Sequence, residues 1–390
     1  MVDDRQLARI LRPPKGSFFL LGPRGTGKST WLHSELRPAA TVDLLEEGRF
    51  QALLADPAQF AMELRTLADG SLVVIDEVQR LPQLLNEVHR HIEQRKMRFA
   101  LCGSSARKLK QAATNLLAGR AVRRYLHPFV PEELAGRFDL DRTLRFGLLP
   151  VVWAAEDPED TLRAYAELYL REEVQAEALV RNLPGFARFL PVASLLHGQA
   201  LSVSSLARDA GVARTTVEGY VDILEDTLLA FRLPAFESRL RVRERRHPKL
   251  YFADPGIARA LGRRRGPPGP EERGHLFEGW IAALLRAYRD YRDLFDGWYH
   301  WSPAGALRTE VDFLVERGGE YVALEVKATP RISASELKGL RAIAELGHLR
   351  RRLLVFLGPR RLKTEDGIEI LPLRAFLDEL EGGTLFPTRR

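Results

Sequence analysis

The 390-residue chain contains a single cysteine, Cys102. One thiol can build neither an internal disulfide framework nor a cysteine-based zinc site, so small stapled folds and zinc-ribbon modules are excluded. No apolar run reaches the roughly 18 residues of a membrane-spanning helix. The opening segment MVDDRQLARILRPPKG lacks the character of a secretory signal. The expected setting is cytoplasmic, with no membrane partner. Lysine is also scarce: of 59 basic residues nine are lysine and fifty arginine, against 52 acids, for a net charge of +7. Guanidinium forks match phosphate geometry, so this surplus points toward nucleic acid, although high-GC codon usage produces the same bias. At roughly 150 residues per domain, the length predicts two or three domains.

What is present begins with order along the chain. In the first third, short apolar runs at residues 17–21, 40–43, 71–75 and 98–101 alternate with helical patterns, as strands of a buried parallel sheet do. Residues 140–235 read as almost entirely helical, and the pattern returns to mixed helix and strand from about 275. Three zones rich in proline and glycine punctuate the chain: residues 127–139, Pro184-Gly185, and RRRGPPGPEERG at 263–274, which reads as an exposed loop.

The first run leads into GPRGTGKST, comprising Gly22, Pro23, Arg24, Gly25, Thr26, Gly27, Lys28, Ser29 and Thr30. The spacing G-x-x-x-x-G-K-[ST] after a strand and before a helix is a phosphate-binding loop, and it predicts ATP as ligand. Loop amides and the helix N-terminus present partial positive charge to phosphates. Lys28 should reach the β/γ-phosphates, and the Ser29 hydroxyl should ligate Mg²⁺. About forty residues on, LVVIDE places Asp76 and Glu77 at the end of a buried strand. Asp76 is the expected second holder of Mg²⁺, and Glu77 the residue that polarises the attacking water. In FALCGSS, Ser104 and Ser105 follow another strand. They are candidates to sense the γ-phosphate, and equally candidates to cap the following helix.

The helical middle contains SVSSLARDAGVARTTVEGYVDILEDTLLAFRLPAF. Gly211 supplies a turn and Leu206, Val212, Val217 and Val221 supply core contacts, the pattern of a helix-turn-helix followed by a wing at 228–236. Arg214, Thr215, Glu218 and Tyr220 are candidates to face outward. Acids on that helix leave two uses open, a DNA contact or a packing module. The next run, RLRVRERRHPK, holds Arg239, Arg241, Arg243, Arg245, Arg246 and Lys249 against one acid. It reads as a phosphate track or as an edge strand kept soluble by charge. Between Glu237 and His300 there are fourteen Lys and Arg against nine Asp and Glu, so most of the charge surplus lies here. Trp298, Tyr299 and Trp301 fit a packed hairpin better than base stacking.

Near the C-terminus, Glu278 falls on an amphipathic helix, Asp312 in EVDFLVE, and Glu325 with Lys327 in YVALEVKAT. Period-two alternation puts Glu325 and Lys327 on one strand face. This helix–strand–strand order resembles the PD-(D/E)xK nuclease core, in which the acids bind a divalent metal, here Mg²⁺ or Mn²⁺, and the lysine assists attack on a phosphate.

The motifs GPRGTGKST, VVIDEVQRLP, LCGSSARKL and LAGR, followed by YLREEV, LEDTLLAFRLPAF, YFADPGIARAL and HLFEGWI, resemble the AAA-type ATPases fused to a DUF4143 domain of bacteria and archaea. The resemblance runs through nearly the whole chain in family order. It implies an α/β P-loop AAA+ core at 1–135, a helical lid at 136–186, a winged helix-turn-helix at 187–238, and a DUF4143-like, restriction-endonuclease-like domain at 239–390. It also implies a homo-oligomer, a ring or hexamer, in which a neighbour's arginine completes the ATP site. Arg120 of LAGR is the expected finger, with Arg123 and Arg124 as rivals, and no second-sensor arginine stands out. The function so implied is a Mg²⁺-dependent ATPase that remodels or translocates nucleic acid, DNA rather than RNA. The alternatives are an ATP-gated, metal-dependent nuclease and a nucleotide-switched signalling or scaffold protein of the defence type.

Overall fold

The computed structural model describes residues 7–103, 117, 119–168, 182–237, 247–303 and 309–386. The chain forms two compact units: residues 1–129 with 149–154 and 226–229, and residues 130–148 with 155–225 and 230–390.

The first unit is built on five strands, β1 (Ser17–Leu21), β2 (Ala40–Asp43), β3 (Leu72–Asp76), β4 (Arg98–Gly103) and β5 (Ala121–Tyr125). Their order is β2-β3-β4-β1-β5, and every pairing is parallel. All five residues of β1 are buried, which explains its unbroken apolar run: in the middle of a parallel sheet, helices cover both faces and neither face needs polar residues. Phe19, Leu21, Ile75 and Leu101 share one core with Leu85 and Val88 of the Leu84–Arg95 helix. Because the strands are parallel, their carboxyl ends meet along one edge, where ligands of open α/β sheets bind. The phosphate loop and Asp76 both lie there.

In the second unit, helices at Leu183–Ser194, Val203–Ala210 and Arg214–Asp226 accompany a three-stranded antiparallel sheet of β6 (Gln199–Ala200), β7 (Ala230–Leu233) and β8 (Lys249–Phe252), in the order β6-β8-β7. Gly211, with φ 63°, ends the first of the paired helices in the left-handed conformation that a side chain would resist. After the 23-residue helix Pro270–Arg292 come β9 (Gly297–Trp301), β10 (Val311–Arg317), β11 (Glu320–Lys327), β12 (Leu349–Phe356), β13 (Leu362–Lys363) and β14 (Glu369–Pro372). They form one sheet in the order β13-β14-β12-β11-β10-β9, antiparallel from β9 to β11 and parallel from β11 to β14. Trp298 and Trp301 are buried in β9, which bears out the packed hairpin over base stacking.

Two prolines that read as breaks prove to be helix starts. Pro184 and Pro270 each sit in the first turn of a helix, where a missing N–H costs nothing and the fixed φ is already helical. The expected loop at 263–274 therefore ends at Gly269. Within YFADPG, buried Asp254 caps the helix Pro255–Leu261: its Oδ1 accepts from Gly256 N at 2.7 Å and Ile257 N at 3.3 Å, and its Oδ2 from Leu148 N at 2.6 Å. Losing the cap costs about 1 kcal/mol, and leaving the Leu148 N–H buried and unpaired adds about 1–3 kcal/mol. Asp254→Ala is thus expected to destabilise this unit by about 3 kcal/mol. A urea transition followed on the second unit's tryptophans checks it; an unmoved midpoint refutes the account.

Candidate nucleotide site and acidic pocket

The phosphate loop leaves β1 through Gly22, where an added Cβ would run into the Leu126 carbonyl oxygen. Gly25 and Gly27 have φ of 82° and 81°, so two left-handed positions bend the chain over the start of the Lys28–Glu35 helix. That helix carries no acid in its first turn, which leaves its positive end uncompensated by the chain. The loop is braced from within the same unit. Thr26 Oγ1 donates to Pro23 O at 2.9 Å, Val151 N to Gly25 O at 3.3 Å, and the Arg9 guanidinium to the carbonyls of Thr26 and His127. Lys28, 7% exposed, folds back so that Nζ donates to Gly22 O at 2.9 Å and Pro23 O at 3.2 Å.

Asp76 is buried at the end of β3, and its Oδ1 accepts from Glu77 N at 2.9 Å. Glu77 adopts a left-handed backbone (φ 54°, ψ 41°), a conformation that costs a non-glycine residue about 1–3 kcal/mol and clusters at functional sites. Buried Gln79 donates to Glu77 Oε2. Burial raises the Glu77 carboxyl above its ordinary range, with Asp76 adding to this and Lys28 and Arg24 opposing it. A carboxylate with raised affinity for protons is suited to draw one from water. Cys102, on β4, is fully buried, and burial with Asp76 nearby pushes its thiol well up, so it is a packing residue rather than a nucleophile. In the sequence, DEVQR shows Gln79 but nothing in the spacing marks it as a brace, and Arg9 carries no local signal of its role. Ser104 and Ser105 lie outside the described residues.

The arginines proposed as fingers sit near the edge strand β5. Arg120 is exposed and pairs with Glu93, Arg123 on β5 is exposed, and Arg124 is half-buried.

In the second unit Arg214 and Thr215 are exposed, and Arg214 pairs loosely with Glu218 at 3.8 Å. Tyr220, expected to face outward, is instead buried. Its ring packs 4.9 Å from Phe186 and 5.3 Å from Phe189, and its hydroxyl donates to Asn182 O at 2.9 Å. Arg239, Arg241, Arg243, Arg245 and Arg246 lie outside the described residues.

Lys249 requires a larger correction. The reading of it as a phosphate contact fails because it is 4% exposed and faces inward from β8. Its Nζ lies 2.9 Å from Glu278 Oε1 and 3.4 Å from Asp312 Oδ1. Glu278 projects from the Pro270–Arg292 helix, Asp312 from β10, and Glu325 with Lys327 from β11, so all four residues expected to meet do meet. Lys327 Nζ reaches Glu325 Oε1 at 2.5 Å. Tyr251, two residues beyond Lys249, donates to Glu278 Oε1 at 2.6 Å. Burial, reinforced by the charge of Asp312, pushes the Glu278 carboxyl up to about 7 against the pull of Lys249. Asp312, although buried, is held below the usual carboxylate range by Lys327, Lys249 and the Val326 N–H.

The oxygens of this cluster are already engaged. Glu278 Oε1 and Asp312 Oδ1 take the ammonium, Glu325 Oε1 takes Lys327, and Asp312 Oδ2 and Glu325 Oε2 accept from Val326 N at 3.0 Å and Asp312 N at 3.3 Å. Each of these five oxygens is already committed to an N–H donor, which leaves none of them to a metal ion. Among the described residues no group of three or more His, Cys, Asp and Glu is arranged to hold a metal ion, and no helix is long and apolar enough to cross a membrane. The residues do not fit the second Mg²⁺ or Mn²⁺ expected here.

Comparison with known proteins finds three families along the chain. An AAA domain family matches residues 15–135, a domain of unknown function (DUF8612) residues 137–267, and another (DUF4143) residues 273–376. The uncharacterized proteins Rv2008c of Mycobacterium tuberculosis and Mb2031c of Mycobacterium bovis are each 30% identical over 371 residues, covering 90% of this chain and 79% of theirs. Among solved structures, the Aeropyrum pernix ORC1 protein in complex with DNA matches at 15% identity and TM-score 0.26, covering 64% of this chain and 87% of its own. Protein VC1899 from Vibrio cholerae matches at 13% and 0.23, covering 94% and 95%. Scores this low carry no argument about fold or function. The phosphate loop, the acid pair on β3 and the two flanking family matches converge: the chain belongs to the AAA-type ATPases fused to a DUF4143 domain.

Proposed function

We propose that the protein hydrolyses ATP as an oligomer, and that hydrolysis drives remodelling or translocation of nucleic acid, DNA rather than RNA. The observation that carries the reading is the phosphate loop between β1 and the Lys28–Glu35 helix, with Lys28 buried beneath it and Asp76 buried at the end of β3. Lys28 exchanges its loop carbonyls for β/γ-phosphate oxygens. Ser29 and Asp76 would hold Mg²⁺, which supplies neutralisation of charge on the phosphates. Glu77 orients water toward the γ-phosphorus and accepts its proton. Arg120 is placed on an exposed surface from which it can serve a neighbouring subunit, and its ion pair with Glu93, being exposed, is readily exchanged.

Nucleic-acid contact is supported by the second unit. Helix, strand, two helices across a glycine turn, then two antiparallel strands is the layout of a winged helix, with Arg214 and Thr215 at the exposed start of the second helix. The helix–strand–strand run bearing Glu278, Asp312 and Glu325 supports a restriction-endonuclease-like fold for the C-terminal part.

ATP turnover measured against single-stranded, double-stranded and branched DNA and RNA, with mass measurement with and without nucleotide, tests the reading. DNA is expected to stimulate turnover, and added salt to weaken that stimulation steeply, because phosphate contacts release counterions. Slow turnover unaffected by any nucleic acid would overturn it in favour of a nucleotide-switched scaffold.

A further inference from the structure

The acidic pocket of the second unit contains its own cation. Lys249 Nζ spans Glu278 Oε1 and Asp312 Oδ1 at 2.9 and 3.4 Å, with Glu310 Oε2 at 3.7 Å on the outer side. These are carboxylates from a helix and a strand that meet only in the folded chain, and the ammonium sits between them. A buried ammonium persists only where carboxylates surround it. The converse holds too: the buried acids Asp312 and Glu325, with Glu278 14% exposed beside them, need positive charge, and Lys249 and Lys327 supply it.

A divalent cation bridging Glu278 and Asp312 would need oxygen distances of about 2.0–2.6 Å, and so a centre close to where Nζ lies. The two charges would then repel at short range in a medium of low polarity. Tyr251 deepens the exclusion by donating to Glu278 Oε1. The sheet fixes both plugging residues. Lys249 and Tyr251 alternate onto one face of β8, whose backbone is paired on both sides, with β6 at Ala200 and with β7 at Leu233 and Phe231. Both side chains therefore project from a strand anchored on either side.

We propose that Lys249 is a resident counter-ion standing in the place of a divalent metal, so that this pocket takes up neither Mg²⁺ nor Mn²⁺ and the C-terminal part contributes structure rather than strand cleavage. The inference is independent of the ATPase reading. It also makes a latent site: removal of the ammonium leaves two converging carboxylates without a cation.

The experiment is an electron-paramagnetic-resonance titration of free Mn²⁺ into the full-length chain without nucleotide, in an Asp76→Asn background that silences the nucleotide site. The chain with Lys249 intact should bind no Mn²⁺ dependent on Asp312, and should leave labelled DNA uncut in Mn²⁺ or Mg²⁺. Lys249→Gln should bind one Mn²⁺ per chain, lose it again on Asp312→Asn, and melt at a higher temperature with Mn²⁺ than without. Stoichiometric Mn²⁺ uptake or DNA cleavage by the Lys249 chain, abolished by Asp312→Asn, would overturn the proposal. So would a folded Lys249→Gln chain that binds no Mn²⁺. If Lys249→Gln does not fold, the Lys249 chain and its Asp312→Asn partner still decide, together with amine acetylation: Lys249 should stay unmodified in the native chain while exposed lysines react, and rapid acetylation of Lys249 would refute its burial as the pocket's cation.

Discussion

Lys28→Ala is expected to lower ATP turnover by at least about 100-fold, the scale on which single preorganised donors to a developing oxyanion act. The residue sits under the loop rather than on it, and its ammonium already bonds the Gly22 and Pro23 carbonyls. Alanine removes the ammonium held beneath the loop, so one positive charge fewer faces the triphosphate. It also takes one donor from each of those carbonyls, Pro23 O keeping the Thr26 hydroxyl. The strand and helix that flank the loop keep their buried residues, so the fold should survive. Phosphate release and binding of a fluorescent ATP analogue measure the effect, with far-ultraviolet circular dichroism as the control. Wild-type turnover in the variant would eliminate this site as the hydrolytic centre.

Glu77→Gln should separate binding from chemistry. Glutamine keeps the size and can keep the contact with Gln79, but it cannot accept a proton from water. A loss of about 10²–10⁴-fold in kcat is expected, with ATP still bound. Arg120→Ala should show a similar split if the arginine acts in a neighbour's site. Mixing the two variants then tests the assembly. At an interface pairing a subunit with intact Glu77 and a neighbour with intact Arg120, turnover should reappear. No recovery in mixed oligomers argues that Arg123, Arg124 or no arginine completes the site from a neighbouring subunit.

The nucleotide site was legible because its parts are local or fall at strand ends. Four apolar residues followed by two acids state their own position: a buried strand must end where polarity begins, and in a parallel sheet such ends converge. The C-terminal cluster was legible for the same reason, since alternation on β11 fixes Glu325 and Lys327 to one face. Lys249 was not. In RLRVRERRHPK it stands at the end of a run of exposed-looking charge, and only the pairing of β8 with both neighbours turns it inward. Long-range pairing of this kind leaves no local trace. Tyr220 failed differently: its place on the Arg214–Asp226 helix left it between exposed and core positions, and the rings of Phe186 and Phe189 drew it to the core. Pro184 and Pro270 show that a breaker and an initiator of helices are the same residue, distinguished by which side the helix lies on.

Strand β8 obeys two masters. Its Lys249–Tyr251 face closes the acidic pocket, while Leu250 and Phe252 turn the other way. A slip of one residue against β7 would present leucine and phenylalanine to the carboxylates of Glu278, Asp312 and Glu325 and strand the ammonium among apolar groups. Charge balance in one place therefore acts as a ratchet on alignment in another. Any variation that retunes the sheet beside the paired helices must first find a new way to neutralise Glu278 and Asp312.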